Sequence, residues 1–164
     1  MNAARNGFER LLEGIVIVLM LAMFFVIVAG VTFRKLGASL EWYDEVAEIL
    51  LAWLTYYGAA YAALKRSHIG VPSLVCMAPL PWRKILFFVA EGTVFVFFAL
   101  LAWIGARILP VLEFDFLTTL PAISTMYTQS VIPIGAVLFM IAQALSLPDA
   151  WRKTVTLESD PGVH

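Results

Sequence analysis

The chain has few of the side chains that carry redox and metal chemistry, since its 164 residues include one cysteine and two histidines. The single cysteine, Cys76, excludes an internal disulfide and the membrane redox enzymes that depend on paired cysteines. A haem-binding membrane protein needs axial ligands, usually histidines, among its spans. His68 and His164 lie outside the long apolar runs, and no His/Cys cluster has metal-ligand spacing. We therefore expect no cofactor and no bound metal.

Charge is also scarce. Charged residues make up 14% of the chain and hydrophobic residues 62%, with a mean hydropathy of +0.88. A soluble domain has about 25% charged and about 45–50% apolar residues, and a fold of this length lacks the interior to bury such an excess. The net charge of −1 gives no sign of a nucleic-acid partner. The composition predicts an integral membrane protein with one domain over residues 1–164. Without a phosphate loop or a Ser/His/Asp set, we expect no enzyme.

Four apolar runs have the length of a membrane-spanning helix, which needs about 20 residues. They are residues 14–33, 46–64, 85–109 and 127–147. The sequence therefore predicts an all-α integral membrane protein with four transmembrane helices. Pro133 removes one backbone donor from the fourth run, which predicts a kink or a late helix start near Ile132.

Two further segments are predicted not to cross the membrane. Residues 70–83 are too short and too rich in proline to span, so we expect an interfacial loop along the headgroups. Cys76 would be an inert part of that loop. Residues 154–164 are predicted to form a short loose tail.

The distribution of Lys and Arg predicts the orientation. The two termini and the loop between the second and third runs carry eight of these residues, and the other two loops carry three, Arg34, Lys35 and Arg107. Both termini are therefore expected to be cytoplasmic. Acidic residues concentrate in the outer loops, and acids contribute little to topology. Their position points to a partner on the outer face.

Two carboxylates fall within the predicted spans, where ionisable groups are costly and are candidates for function. Glu91 is either a helix-packing residue that is hydrogen-bonded or protonated, or a proton-coupling group of the kind used by small four-helix exporters. Glu48 lies within one turn of the outer boundary. Its role is either structural, at an interface with a partner's cation, or proton coupling.

The second run contains small residues at helical spacing. Gly58 and Ala62, and Ala59 and Ala63, form small-xxx-small pairs that allow helices to approach closely. Aromatic residues, including Trp53, surround them. Packing within the chain and packing against a partner explain this pattern equally well.

The segment "EWYDEVAEILLAWLTYYGAAYAALKRSHIGV" resembles the signature of the small, DctQ-type membrane subunit of TRAP (tripartite ATP-independent periplasmic) transporters. The features shared with that family are an acidic pair, a tryptophan, a Gly-Ala pair and a basic stretch that ends in His-Ile. In this chain they are Asp44-Glu45, Trp53, Gly58-Ala59, Lys65-Arg66 and His68-Ile69. "VIPIG" at 131–135 is similar to the start of the family's last helix.

The resemblance implies a sodium-driven importer of organic anions in the bacterial inner membrane. A periplasmic substrate-binding protein would capture a carboxylate substrate. A large permease subunit would carry the substrate and Na⁺ sites and move by an elevator motion. The small subunit would catalyse nothing and would hold the large one in place, in contact with membrane lipids. The alternative is an autonomous small proton-coupled transporter that uses Glu91.

On the scaffold hypothesis, the acids of 41–48 form the outer rim of a docking surface, and Arg34 and Lys35 pair with some of them. The competing interpretation is a solvated rim that stops the second span from sliding inward. His68 is expected to support the cytoplasmic end of the second span, with a pH switch as the other possibility. The expected subunit-interface residues are Arg34, Asp44, Glu45, Glu48, Trp53, Gly58, Ala59, Ala62 and His68.

Overall fold

The computed structural model describes residues 2–38, 40–65 and 80–156. The helices in these ranges are α1 (Asn2–Lys35), α2 (Tyr43–Lys65), α3 (Leu80–Ile108), a 3-10 helix (Val111–Phe114), α4 (Thr125–Gln129) and α5 (Val131–Thr156). The described ranges contain no β-strand, and an isolated bridge joins Phe116 to Ser124. The predicted all-helical class is confirmed.

Three segments are long and apolar enough to cross a membrane. They are Arg5–Lys35, Ile85–Ile108 and Thr125–Pro148. They correspond to the first, third and fourth predicted spans, and their length and composition are those expected of a multi-pass membrane protein. The helix at the second predicted span, α2, has 23 residues. It is not among the three, because its tyrosines and Glu48 lower its hydropathy.

The end of α1 is fixed by a glycine. Gly37 has a φ of +80°, a backbone conformation that favours glycine. The Ala38 N–H donates to the Phe33 carbonyl at 3.1 Å, and the Gly37 N–H donates to the Arg34 carbonyl at 3.3 Å. These two bonds form a Schellman motif, which satisfies the last carbonyls of a helix. The chain therefore turns sharply and enters α2 at Tyr43.

The start of α5 follows from Pro133. The helix begins at Val131, directly after Ser130, which closes the short α4. Pro133 thus lies in the first turn, where a missing N–H breaks no helical hydrogen bond. The prediction of a late helix start near Ile132 is confirmed to within one residue.

Two predicted boundaries differ from the helices of the structure. Residues 80–83, expected in the interfacial loop, form the first turn of α3. The rest of that loop, with Cys76, lies outside the described residues. Residues 154–156 of the predicted tail are the end of α5, and residues 157–164 are also outside the described part.

The four long helices are arranged in an open row. α1 packs against α2, α2 against α5, and α5 against α3, while α1 and α3 have no extensive contact in the described ranges. Burial follows this order. In an apolar stretch of 18 residues within each segment, the buried share is 44% for Thr125–Pro148, 11% for Arg5–Lys35 and 0% for Ile85–Ile108. The two edge helices therefore expose most of their apolar surface.

The buried core lies where α1, α2 and α5 meet. Its members are Leu12, Ala60, Ala63, Leu64, Phe139 and Ala142. Phe139 also stacks on Phe98 of α3, with ring centroids 3.8 Å apart. Lys65, at the end of α2, forms an ion pair with Glu9 of α1. Apolar packing and the Lys65–Glu9 ion pair thus hold the row together near this end.

Glycines on the neighbours of α2 accommodate its tyrosines. A Cβ atom added at Gly30 of α1 would overlap the ring of Tyr43, and one added at Gly135 of α5 would stand 2.6 Å from the Tyr56 Cβ atom. Gly105 of α3 is packed closely against the first turn of α5. The helices therefore approach one another at glycines that face large side chains.

Candidate functional site

The loop between α3 and α4 is bound to the start of α2 by Glu45. One carboxylate oxygen, Oε1, accepts from the Thr118 N–H, and the other, Oε2, accepts from the Thr119 N–H, both at 2.9 Å. Oε2 also accepts from the Thr119 hydroxyl. Glu45 lies in the first turn of α2, where the helix dipole favours a negative charge. One carboxylate therefore joins segments more than 70 residues apart in the chain.

These bonds change the acidity of the carboxyl group. The Thr119 hydroxyl, followed by the Thr119 and Thr118 amides, lowers the pKa of Glu45 below its ordinary value of 4.5, although partial burial opposes the shift. A carboxyl group with a lowered pKa in the folded state stabilises that state only while it is ionised. The contribution is therefore present above about pH 4.5 and is lost as the pH falls through the lowered pKa.

The loop is also held by its own hydrogen bonds. Ser124 is only 9% exposed, and its hydroxyl lies 3.1 Å from the carbonyl oxygens of both Leu112 and Glu113. The same hydroxyl oxygen accepts from the Met126 N–H at 3.3 Å and so caps α4. The 109–124 loop is therefore a folded element with a fixed position relative to α2.

A second bond joins α2 to the segment after this loop. The Trp53 indole N–H donates to the Thr128 carbonyl of α4 at 3.0 Å, and its ring lies 6.4 Å from that of Tyr57. Trp53, expected at a subunit interface, thus bonds within the chain. Together with Glu45 it fixes α2 against both the 109–124 loop and α4.

One face of α2 is left uncovered by the described helices. Its residues recur every three or four positions, which places them on one side of a helix. We call this set the free face, and it consists of Asp44, Glu48, Leu51, Thr55, Gly58 and Ala62. The first four side chains are exposed, and Gly58 and Ala62 are half-buried. A Cβ atom added at Gly58 would have no neighbour within 4 Å.

Other residues expected at an interface have different positions. Ala59 packs against the buried core. Arg34 is exposed in the last turn of α1. Neither Arg34 nor Lys35 forms an ion pair with the acids of 41–48 in the part of the chain that is described, so the expected pairing is not observed. His68 lies outside the described residues.

Glu91 of α3 is bonded to α5. The Gln143 side-chain amide donates to the Glu91 carboxylate at 2.5 Å, and Gln143 itself is only 9% exposed. Next to them the buried Ser146 hydroxyl donates to the Gln143 carbonyl at 2.9 Å. These bonds form a polar contact between two apolar helices.

Sequence reasoning missed most of these bonding partners. Gln143 could have been found, because it is an amide inside an otherwise apolar run. Ser124 had a weaker signal, a serine directly before a helix. Thr118 and Thr119 gave no such signal, since any exposed pair of backbone N–H groups could have donated to the Glu45 carboxylate.

The chemistry of the site is hydrogen bonding and charge. Among the residues that the structure describes, no group of three or more His, Cys, Asp or Glu side chains could hold a metal ion. The arrangement supplies a rigid surface at the loop end of the row, with exposed acids on the free face.

Comparison with known proteins gives a consistent set of matches. A family model described as "Tripartite ATP-independent periplasmic transporters, DctQ component" matches residues 8–153. A C4-dicarboxylate TRAP transporter small permease protein of Rhodobacter capsulatus is 30% identical over 71 residues, which is 43% of this chain and 31% of that protein. The protein of the same description from Pseudomonas aeruginosa is 33% identical over 86 residues, or 52% and 37%. The matched part thus spans about a third of the length of these relatives.

Proposed function

This chain belongs to the DctQ family of TRAP transporter components, and from that premise we propose that it is the non-catalytic small membrane subunit of a sodium-coupled importer. The importer would take up organic anions such as carboxylates and would depend on a periplasmic substrate-binding protein. The substrate and Na⁺ sites would lie on the large permease subunit. This chain would bind neither substrate nor cofactor and would hold the large subunit in place in the bacterial inner membrane.

Four spans with both termini cytoplasmic form part of the proposal. At 1.5 Å per residue, the 23 residues of α2 extend over about 34 Å, enough for a hydrocarbon core of about 30 Å. α2 also packs between α1 and α5, which both have membrane-crossing length. Its position in the row supports a second span despite its lower hydropathy. The Lys and Arg distribution supports the orientation.

The observation that carries the scaffold role is the open row of helices. A transporter that works alone needs a path between its helices, whereas in this chain the long helices pack side by side in a row, in the order α1, α2, α5, α3. The apolar surfaces of the two edge helices, α1 and α3, are open to contact with lipid or with another protein. A row of this kind is suited to lie against a larger membrane protein and to widen its contact with the bilayer.

We assign the contact with the large subunit to the free face of α2. Gly58 and Ala62 would allow a helix of the large subunit to approach closely. Asp44 and Glu48, at the loop end of the same face, would meet Lys or Arg on the large subunit or on the arriving binding protein. Charges of this kind fix orientation more than they raise affinity.

Other expected interface residues would act less directly. Glu45, Trp53 and Ala59 bond or pack within the chain, so they would support the free face by holding α2 in position. Arg34 is exposed at the end of α1 and is available to a partner. His68 keeps its proposed role at the cytoplasmic end of α2.

The competing function, an autonomous proton-coupled transporter, needs Glu91 to exchange protons with a solute pathway. The bond to Gln143 favours a packing role, because it joins α3 to α5. A Glu91→Gln variant retains a side chain that can accept the same bond. In the complete transporter this variant should keep sodium-driven uptake, and in a proton-coupled transporter it should abolish flux.

Reconstitution tests the two functions directly. The purified chain in vesicles, under either a Na⁺ or a proton gradient, should carry no flux of organic anions. Together with the large subunit and the binding protein it should restore uptake. Gradient-driven flux from the chain alone would overturn the scaffold role.

Bulky substitutions test the assigned face. Gly58→Leu fills open space on the free face, and the matched control, Gly92→Leu, fills open space on α3. We expect Gly58→Leu to lose co-purification with the large subunit and Gly92→Leu to keep it. Equal retention by both variants, or loss in the control alone, would exclude the free face as the contact.

A further inference from the structure

A group of exposed apolar side chains projects from the loop between α3 and α4. Val111 is 74% exposed, Phe114 83% and Phe116 54%. These values are high for large hydrophobic residues in an ordered segment, and a contiguous exposed apolar patch usually marks an interaction surface. We call these three residues the loop patch.

The backbone places the loop patch on one side of the segment. Residues three apart are eclipsed in a 3-10 helix, which aligns Val111 with Phe114. Asp115 is extended, with φ −101° and ψ 134°, and side chains alternate in an extended chain. Phe116 therefore returns to the side of Phe114, and Asp115 points to the opposite side. The segment is amphipathic over six residues.

The position of the patch is fixed by hydrogen bonds. The Asp115 N–H donates to the Leu112 carbonyl at 3.2 Å, and the Thr125 N–H donates to the Asp115 carbonyl at 2.8 Å. Ser124 binds the 3-10 helix, and Glu45 holds the loop to α2. The apolar side chains are thus presented outward by a folded loop.

The patch continues the membrane-facing surface of α3. That helix ends at Ile108, three residues before Val111, and its last turns expose Trp103 and Ile104 by 60% and 52%. Arg107 lies over the Trp103 ring at 5.5 Å. A tryptophan and an arginine at a helix end are typical of the boundary between acyl chains and headgroups. Val111 therefore lies at the depth of the boundary between acyl chains and headgroups.

We propose that the loop patch inserts into the adjacent leaflet as an interfacial anchor. Val111, Phe114 and Phe116 enter the boundary between headgroups and acyl chains, while Glu113 and Asp115 stay in water. The occupant of this surface is a zwitterionic lipid, because the two acids would repel anionic headgroups. The anchor sets the height of the loop end of the row and requires neither the large subunit nor the binding protein.

Spin labelling tests this proposal on the full chain. In a Cys76→Ser background, which removes the single native cysteine, Phe114→Cys and Glu113→Cys each carry one nitroxide in phosphatidylcholine nanodiscs. Collision rates with oxygen, which is enriched in lipid, and with a water-soluble nickel chelate report the depth. We expect the label at 114 to favour oxygen and its neighbour at 113 to favour nickel. Phe116→Cys gives an independent label if the variant at 114 does not fold.

Two results would overturn the anchor. One is equal nickel access for the labels at 113 and 114, which would place both in water. The other is shielding of the label at 114 from both reagents when the large subunit and binding protein are added, because a protein would then cover the patch.

Discussion

Gly135 of α5 lies directly against Tyr56 of α2, and the missing side chain of the glycine provides the space for the tyrosine. A Cβ atom at Gly135 would stand 2.6 Å from the Tyr56 Cβ atom and 3.0 Å from its Cδ1 atom. The Tyr56 Cβ atom is fixed to the backbone, so a change of rotamer does not relieve the overlap. The distance between the two central helices of the row therefore depends on this glycine.

Gly135→Ala should destabilise the chain because α2 and α5 must separate. Overpacking of this kind costs about 1–3 kcal/mol. The matched control is Gly14→Ala, since a Cβ atom there has nothing within 4 Å and the gain in helix propensity is the same. Thermal unfolding in detergent should show a lower midpoint for Gly135→Ala than for the control. Equal unfolding midpoints for Gly135→Ala and Gly14→Ala would show that the contact between Gly135 and Tyr56 does not limit how closely α2 and α5 approach.

Glu45→Gln should release the 109–124 loop from α2, because the variant removes the charge that strengthens three hydrogen bonds. In a chain with a single nitroxide at residue 120, we expect a more mobile spectrum than in the same chain with Glu45 intact. Asp44→Asn is the control, since it removes a neighbouring charge that makes no such contact. A loop that stays immobile in Glu45→Gln would show that the internal bonds of the loop suffice.

The mobility of the nitroxide at residue 120 should also depend on pH. The sign of that dependence follows from the lowered pKa of Glu45. With Glu45 present, the loop should remain immobile above about pH 4.5 and should become mobile as the pH falls through the lowered pKa. In Glu45→Gln the mobility should not change over this range. A transition in the variant would assign the titration to another group.

Glu91→Leu should destabilise the chain because it leaves the Gln143 amide without this acceptor inside apolar surroundings. An unsatisfied buried polar group costs about 1–3 kcal/mol. Glu91→Gln should be much milder. The double variant Glu91→Leu, Gln143→Leu should recover part of the loss, since the removal of both partners is often nearly neutral. If Glu91→Leu, Glu91→Gln and the double variant all unfold at the same temperature as the unaltered chain, the bond contributes nothing to stability.

Charge reversal at Asp44 and Glu48 should weaken assembly with the other transporter components and leave the fold of the chain intact. Both side chains are exposed on the free face, so their replacement by lysine disturbs no contact within the chain. Co-purification should fall and should also become less sensitive to salt. Glu41→Lys, an exposed acid outside the free face, is the control. Unchanged assembly in all three variants would favour a solvated rim.

The sequence predicted the first, third and fourth long apolar helices well, because each depends on local composition. Residues 14–33 and 85–109 fall almost entirely within α1 and α3, and the start of α5 followed from Pro133. The acids at the head of α2 were also identified from the sequence. What local patterns could not show was that Glu45 bonds within the chain while Asp44 stays exposed.

The rest depends on contacts between distant parts of the chain. Glu45 meets residues 73 and 74 positions away, and no periodicity predicts such a pair. Small residues on α2 were predicted to permit close packing, yet the space beside Gly58 is open. The spaces beside Gly30 of α1 and Gly135 of α5 are instead occupied by tyrosines of α2. Which glycine faces a large side chain is decided by the order of helices in the row.

That order also constrains synthesis. α5, which is synthesised after α1, α2 and α3, lies between α2 and α3. The α1–α2 pair can form early in synthesis, whereas α3 enters the bilayer before α5, its packing partner, has been translated. A nascent chain that stops before Val131 would thus leave α3 without its main partner, exposed to the quality-control proteases of the cell.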